Sequence, residues 1–115
     1  MNKNFVEHLS PQWERKTAVF SALGDATRQK ILLLFGPHEE ICVTDIAAVF
    51  RLSRPAISHH LKVLRNTGLL VCEKRGKEVY YRINENDNTD ILNVVLKIAE
   101  RESPAPNENS EAVPG

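Results

Sequence analysis

Apolar residues in this chain recur with a helical period up to residue 68, alternate with polar ones from 69 to 83, and return to a helical period near the C-terminus. Ser10-Pro11 offers an N-cap followed by proline at the first helical position, which predicts a helix to about residue 23, ended by Gly24. Asp25 caps a second helix carrying Ile31, Leu32, Leu34 and Phe35 and stopped by Gly36-Pro37. Val43, Ile46, Ala47 and Phe50 fall at i, i+3, i+4 and i+7, one face of a short third helix. Ser53 caps a fourth, with Ile57, Leu61 and Leu64 facing inward and Gly68 closing it. Leu69, Val71, Val79, Tyr81 and Ile83 can then share one face of a hairpin that turns near Arg75-Gly76. A polar loop over 84–89 leads to a fifth helix, apolar around most of its surface through Ile91, Leu92, Val94, Val95, Leu96, Ile98 and Ala99. From Ser103 the chain has three prolines and little apolar content, the composition of a disordered tail.

The expected fold is mainly α with a small β-hairpin (α+β): five helices plus a wing, in a single unit over residues 1–102, with 103–115 as the tail. The link between the third and fourth helices is only Arg51-Leu52-Ser53. So short a link forces the sharp crossing of a helix-turn-helix, whose second helix enters the DNA major groove. At roughly 100° per residue, the apolar face leaves His59 and Lys62 pointing outward, flanked by Ala56 and Ser58. Arg54 lies in the first turn, the end that meets base edges in this motif.

Arg54, Ser58 and His59 are therefore candidates for base contact, and Lys62 and Arg65 for phosphate contact. Ser53 is first a helix cap whose hydroxyl can also reach a phosphate, and Ala56 borders the same face. His60 points toward the edge of the core and reads as a packed residue. The hairpin tip Lys74-Arg75-Gly76-Lys77 presents three cations, suited to the backbone or the adjacent minor groove. Arg82 is a further phosphate candidate, whereas Tyr80 and Tyr81 read as strand-packing residues. A charged surface that is merely solvated is the competing reading for each cation, and the complete motif outweighs it.

Composition first opposes a nucleic-acid partner, because 15 Lys/Arg balance 15 Asp/Glu over 115 residues. The distribution reverses that impression. Residues 51–83 carry 8 Lys/Arg against 2 Asp/Glu, while 84–115 carry 2 against 7. A basic middle beside an acidic remainder is the electrostatic footprint of a DNA-binding surface. No apolar run approaches the roughly 20 residues of a membrane span, and the N-terminus lacks the apolar segment of a signal peptide, so the chain reads as cytoplasmic. Cys42 and Cys72 are too few for a disulfide framework.

These motifs resemble the ArsR/SmtB family of winged-helix repressors. The resemblance is carried by A-L-G-D-A-T-R at 22–28, I-C-V-T-D-I-A, L-S-R-P-A-I-S-H-H-L-K-V-L-R, T-G-L-L-V and G-K-E-V-Y-Y-R-I, and covers about 15–83. It implies a homodimer through the first and fifth helices, bound to a palindromic operator at rest and released by a metal ion or another signal. The apolar excess of the fifth helix, with Phe5, Trp13, Val19 and Phe20, independently suggests a dimer. At position 51 the family often has glycine, in a left-handed turn, where this chain has arginine.

The sensing half of the resemblance is incomplete. One family site uses a C-x-C pair, where this chain has Cys42-Val43-Thr44. A soft-metal or arsenite site needs two or three converging thiolates. A second family site joins Asp and His residues across paired fifth helices, but 84–115 contain no histidine and leave only carboxylates there, among them Asp87, Asp90, Glu100 and Glu102. His38 and Cys42, with Glu39, Glu40 and His8, are the remaining weak candidates for Zn²⁺, against the simpler reading of a solvated loop and a small packed cysteine. No cofactor is expected, and a metal-ion inducer is left open.

The function so indicated is a dimeric, sequence-specific DNA-binding transcriptional regulator, a repressor. The alternatives are a winged-helix protein-interaction module and a small metal-binding protein. No nucleophile–base pair and no phosphate-cradling glycine loop is evident, which argues against an enzyme.

Overall fold

The computed structural model describes residues 1–86 and 89–102. The expected tail and Asp87 lie outside the described residues. The helices are α1 (Lys3–Glu7), α2 (Gln12–Ala22), α3 (Ala26–Leu34), α4 (Val43–Phe50), α5 (Arg54–Asn66) and α6 (Thr89–Glu102), and the strands are β1 (Ile41–Cys42), β2 (Leu70–Arg75) and β3 (Glu78–Ile83). The five expected helices are α2 to α6.

Local chemistry accounts for most boundaries. The Asp25 carboxylate accepts the Arg28 N–H at 3.0 Å, capping α3, and this bond holds the Asp25 carboxyl below its usual range. Ser53 Oγ accepts the Ala56 N–H at 3.2 Å, and Pro55 fits the first turn of α5. Gly68, at φ 83°, ends α5 in the left-handed conformation, and the Leu69 N–H returns to the Leu64 carbonyl at 3.0 Å.

Four details depart from the sequence expectation. A short helix, α1, precedes the first expected one and buries no residue. Pro11, rather than Ser10, is the N-cap of α2, and Ser10 contributes its carbonyl to the Trp13 N–H at 2.9 Å. The hairpin is part of a three-stranded antiparallel sheet in the order β1-β3-β2, with Ile41 opposite Tyr81 and Cys42 opposite Tyr80. Finally, Leu70 pairs with Ile83 and Cys72 with Tyr81, so β2 is offset by one residue from the expected alternation. Leu70 and Cys72, not Leu69 and Val71, share the face of Val79, Tyr81 and Ile83. Leu69 is nevertheless fully buried, just before the strand.

The core lies where α2, α3, α4, α5 and the sheet meet; it takes in Val19 of α2, which is 3% exposed and so is not part of the apolar excess expected at a dimer face. Ile31, Ile46, Ile57, Leu61, Leu64 and Leu69 are all 0% exposed. Burying a side chain of this size contributes roughly 1.5–3 kcal/mol, which holds α5 at a fixed height over the sheet.

Candidate nucleic-acid interface

The α4–α5 turn depends on one strained residue. Arg51 sits at φ 56° and ψ 39°, the left-handed conformation, and allows the Leu52 N–H to reach the Ala47 carbonyl at 3.3 Å. Ser53 then opens α5, and the apolar stripe Ile57-Leu61-Leu64 turns inward. Arg54, His59, Lys62 and Arg65 are exposed, while Ala56 and Ser58 are half-buried beside them. The structure thus brings the expected α5 residues to one outward surface.

Arg54 is not free on that surface. Its Nη1 donates to Thr44 Oγ1 at 2.6 Å, and its Nη2 lies 3.8 Å from a Glu78 carboxylate oxygen. The Thr44 hydroxyl lies 3.2 Å from both Glu78 oxygens. This cluster links α4, α5 and β3. Neither Thr44 nor Glu78 stands out in the sequence as a residue of the DNA-facing surface. The only signal was that Glu78 is one of just two acids in the basic stretch 51–83.

His60 is half-buried next to His59, with their ring centroids 5.7 Å apart. Its Nδ1 accepts from Arg28 Nη1 at 3.2 Å, and Arg28 Nε donates to the Ala22 carbonyl at 2.7 Å. His60 is a packing residue, as its phase on the helix indicates. Arg65 Nη1 lies 3.8 Å from Cys72 Sγ, which ties the end of α5 to β2.

The wing turns through Gly76 and Lys77, with Gly76 at φ 61°. Glycine at the first central position suits a two-residue hairpin turn. The three cations of the tip are not equivalent. Arg75 folds back onto Glu40 at 2.6 Å and Glu73 at 3.4 Å, with its guanidinium 4.5 Å from the Tyr80 ring centroid. The hydrogen bond to Glu40 pushes the Arg75 pKa up. Lys74 and Lys77 are exposed and, among the described residues, form no ion pair.

The suggested Zn²⁺ set does not come together. Among the described residues no group of three His, Cys, Asp or Glu is placed to hold a metal ion. His38 lies 3.7 Å from Glu85 instead. Thr44, standing where the C-x-C pair would have its second cysteine, is engaged with Arg54 and Glu78. Cys42 and Cys72 are in register with Tyr80 and Tyr81 respectively, so they lie on opposite faces of the sheet with β3 between them. The residues present do not fit the family's thiolate site.

A sequence profile described as "Bacterial regulatory protein, arsR family" matches residues 25–70. SdpR of Bacillus subtilis, a transcriptional repressor, is 39% identical over 79 residues, which span 68% of this chain and 86% of SdpR. The chain belongs to the arsR family. The arsenical resistance operon repressor of Escherichia coli is 44% identical over 66 residues, 57% of this chain and 56% of that protein. The chain spans little more than half the length of the arsenic and cadmium regulators it matches here, between 52% and 61%.

A winged helix-turn-helix DNA-binding domain from Mycobacterium bovis, homodimeric in its solution NMR structure, superposes with a TM-score of 0.70 at 26% identity, covering 81% of this chain and 85% of that one. The arsR-family fold therefore extends beyond the profile match and takes in the wing. Among the described residues, no helix of this arsR-family chain is long and apolar enough to cross a membrane.

Proposed function

We propose that this protein is a homodimeric, sequence-specific DNA-binding transcriptional regulator of the cytoplasm, a repressor that leaves its operator on a signal. The observation that carries the reading is the two-sidedness of α5. Ile57, Leu61 and Leu64 are 0% exposed, while Arg54, His59 and Lys62 are exposed and Ser58 is half-buried beside them; Lys74 and Lys77 of the wing are exposed as well. In this reading Arg54, Ser58 and His59 meet base edges, with Ala56 bordering them. Ser53, Lys62, Arg65, Lys74 and Lys77 meet phosphates, and Arg75 stiffens the wing through Glu40 while adding positive potential. Residues 1–102 act as one DNA-binding and dimerisation domain. Pairing through α2 and α6 sets two α5 helices about 34 Å apart, on successive major grooves of a palindrome.

Selection of bound duplexes from a genomic library, followed by titration of the best site and of random DNA, tests this reading. Affinity should fall on the order of 10³-fold between 50 and 200 mM salt. Arg54→Ala should cost about 1–3 kcal/mol of discrimination at one base pair, while Lys77→Ala should weaken all sequences alike and lower the salt slope by about 1. Equal losses from Arg54→Ala on operator and random DNA would remove the base-reading role.

A further inference from the structure

The cations of the DNA-facing surface fall into two kinds. Lys62, Lys74 and Lys77 are exposed and form no ion pair among the described residues. Arg54 and Arg75, by contrast, are paired with glutamates, Arg54 with Glu78 and Arg75 with Glu40 and Glu73. Glu78 carries a negative charge into a surface meant for phosphates, where it opposes binding to any duplex. Its placement calls for a gain that offsets this.

That gain lies in the Arg54 guanidinium. Thr44 takes one N–H at 2.6 Å, Glu78 lies 3.8 Å from the other terminal nitrogen, and the Thr44 hydroxyl is itself 3.2 Å from Glu78. The long arginine side chain is thereby fixed between α4 and the wing, with its charge partly neutralised. The guanidinium carries five donors in a rigid fork, so donors remain for a third partner, and the side chain is still half-exposed. A fixed fork suits the paired acceptors O6 and N7 of guanine, which demand geometry as well as charge. A neutralised one is a poor ligand for a phosphate at an arbitrary position.

Building on the DNA-binding reading above, we infer that Glu78, with Thr44, is a specificity-determining positioning residue. It holds Arg54 in a pose for a guanine edge and withholds it from indiscriminate phosphate contact. Positioning raises operator affinity by lowering the ordering cost of binding, and the carboxylate lowers affinity for every other sequence. Because Glu78 is the first residue of β3, the seating of the wing and the aim of Arg54 are one event.

The test compares Glu78→Gln, Thr44→Val and Glu73→Gln with the wild type, on the selected operator and on random duplex at one salt concentration. Glu73→Gln makes the same charge change on the wing away from Arg54. Glu78→Gln should raise affinity for random DNA about 2-fold and lower operator affinity, so that the ratio of the two falls about 10-fold. Thr44→Val should lower that ratio with no change of charge, whereas Glu73→Gln, which loosens Arg75 but leaves Arg54 held by Glu78, should raise both affinities together and leave the ratio unaltered. A guanine substitution in the operator that Arg54 reads should then cost Glu78→Gln less than it costs the wild type. An operator-to-random ratio unchanged in Glu78→Gln, with wild-type melting behaviour, overturns the inference and leaves the DNA-binding reading standing. A wild-type protein with no preference for any duplex overturns both, and does so before a variant is measured.

Discussion

The helix-turn-helix with its wing and the outward faces of α2 and α6 draw on similar apolar residues with opposite results. Around α5, Ile46, Ile57, Leu61 and Leu64 reach 0% exposure within a single chain. Along α6, Val94, Leu96 and Ile98 remain 56%, 47% and 55% exposed, and Trp13 and Phe20 stack edge-on at 5.9 Å while both remain exposed. The short α1 adds exposed Phe5 and Val6. One region closes its own core. The other carries apolar surface of the kind that marks a contact with another molecule, which under the proposed function is a second copy of the chain. The difference separates what DNA reading needs from one chain from what it needs from two.

The largest expected effect breaks the closed region. Leu61→Ala removes a fully buried side chain and should destabilise the fold by about 2–5 kcal/mol in denaturant titration. Val94→Ala, measured the same way at a concentration where the protein is monomeric, should cost less than about 0.5 kcal/mol. Equal costs would mean that α6 is packed as firmly as α5 and would erase the contrast.

Next in size is the open region's role in assembly. Val94→Glu combined with Ile98→Glu should leave the circular dichroism spectrum of the fold in place and shift sedimentation toward the monomer. Operator affinity should drop on the order of 100-fold, because two half-sites are no longer engaged together, while contacts within one half-site are retained. A variant that stays dimeric would move the interface elsewhere on the molecule.

The same contrast shows what the sequence could reveal. Boundaries set by neighbouring residues were legible: Asp25 and Ser53 cap the helices expected of them, and Gly68 and Gly76 end and turn where glycine is needed. The inward stripe Ile57-Leu61-Leu64 also follows directly from its spacing. The slip in β2 has a physical cause, because Leu69-Leu70-Val71 is a continuous apolar run with no alternation to fix its phase. Strand β1 is two residues long and exists only by pairing with Tyr80 and Tyr81 of β3. Helix α1 lacks a side-chain cap, so nothing announced it. At the candidate site the outward residues were readable from helical phase. Their restraints were not, since Thr44–Glu78 and Glu40–Arg75 join residues 34 and 35 positions apart.

The smallest effect sharpens the comparison from inside the closed region, where one residue is strained. Arg51 holds the left-handed conformation at φ 56°, which costs a residue with a Cβ about 1–2 kcal/mol. Glycine adopts it freely but loses more entropy on folding, which offsets roughly 0.5–1 kcal/mol of the gain. Arg51→Gly should therefore raise stability by up to about 1 kcal/mol, read from the denaturant midpoint at constant slope. The turn geometry and the Leu52 to Ala47 closure should persist, so the operator-to-random ratio should stay at the wild-type value. Loss of one cation near the face should lower affinity for both duplexes together. A fall in that ratio would mean that Arg51 takes part in sequence reading; a fall in stability would mean that contacts of its side chain outweigh the backbone strain.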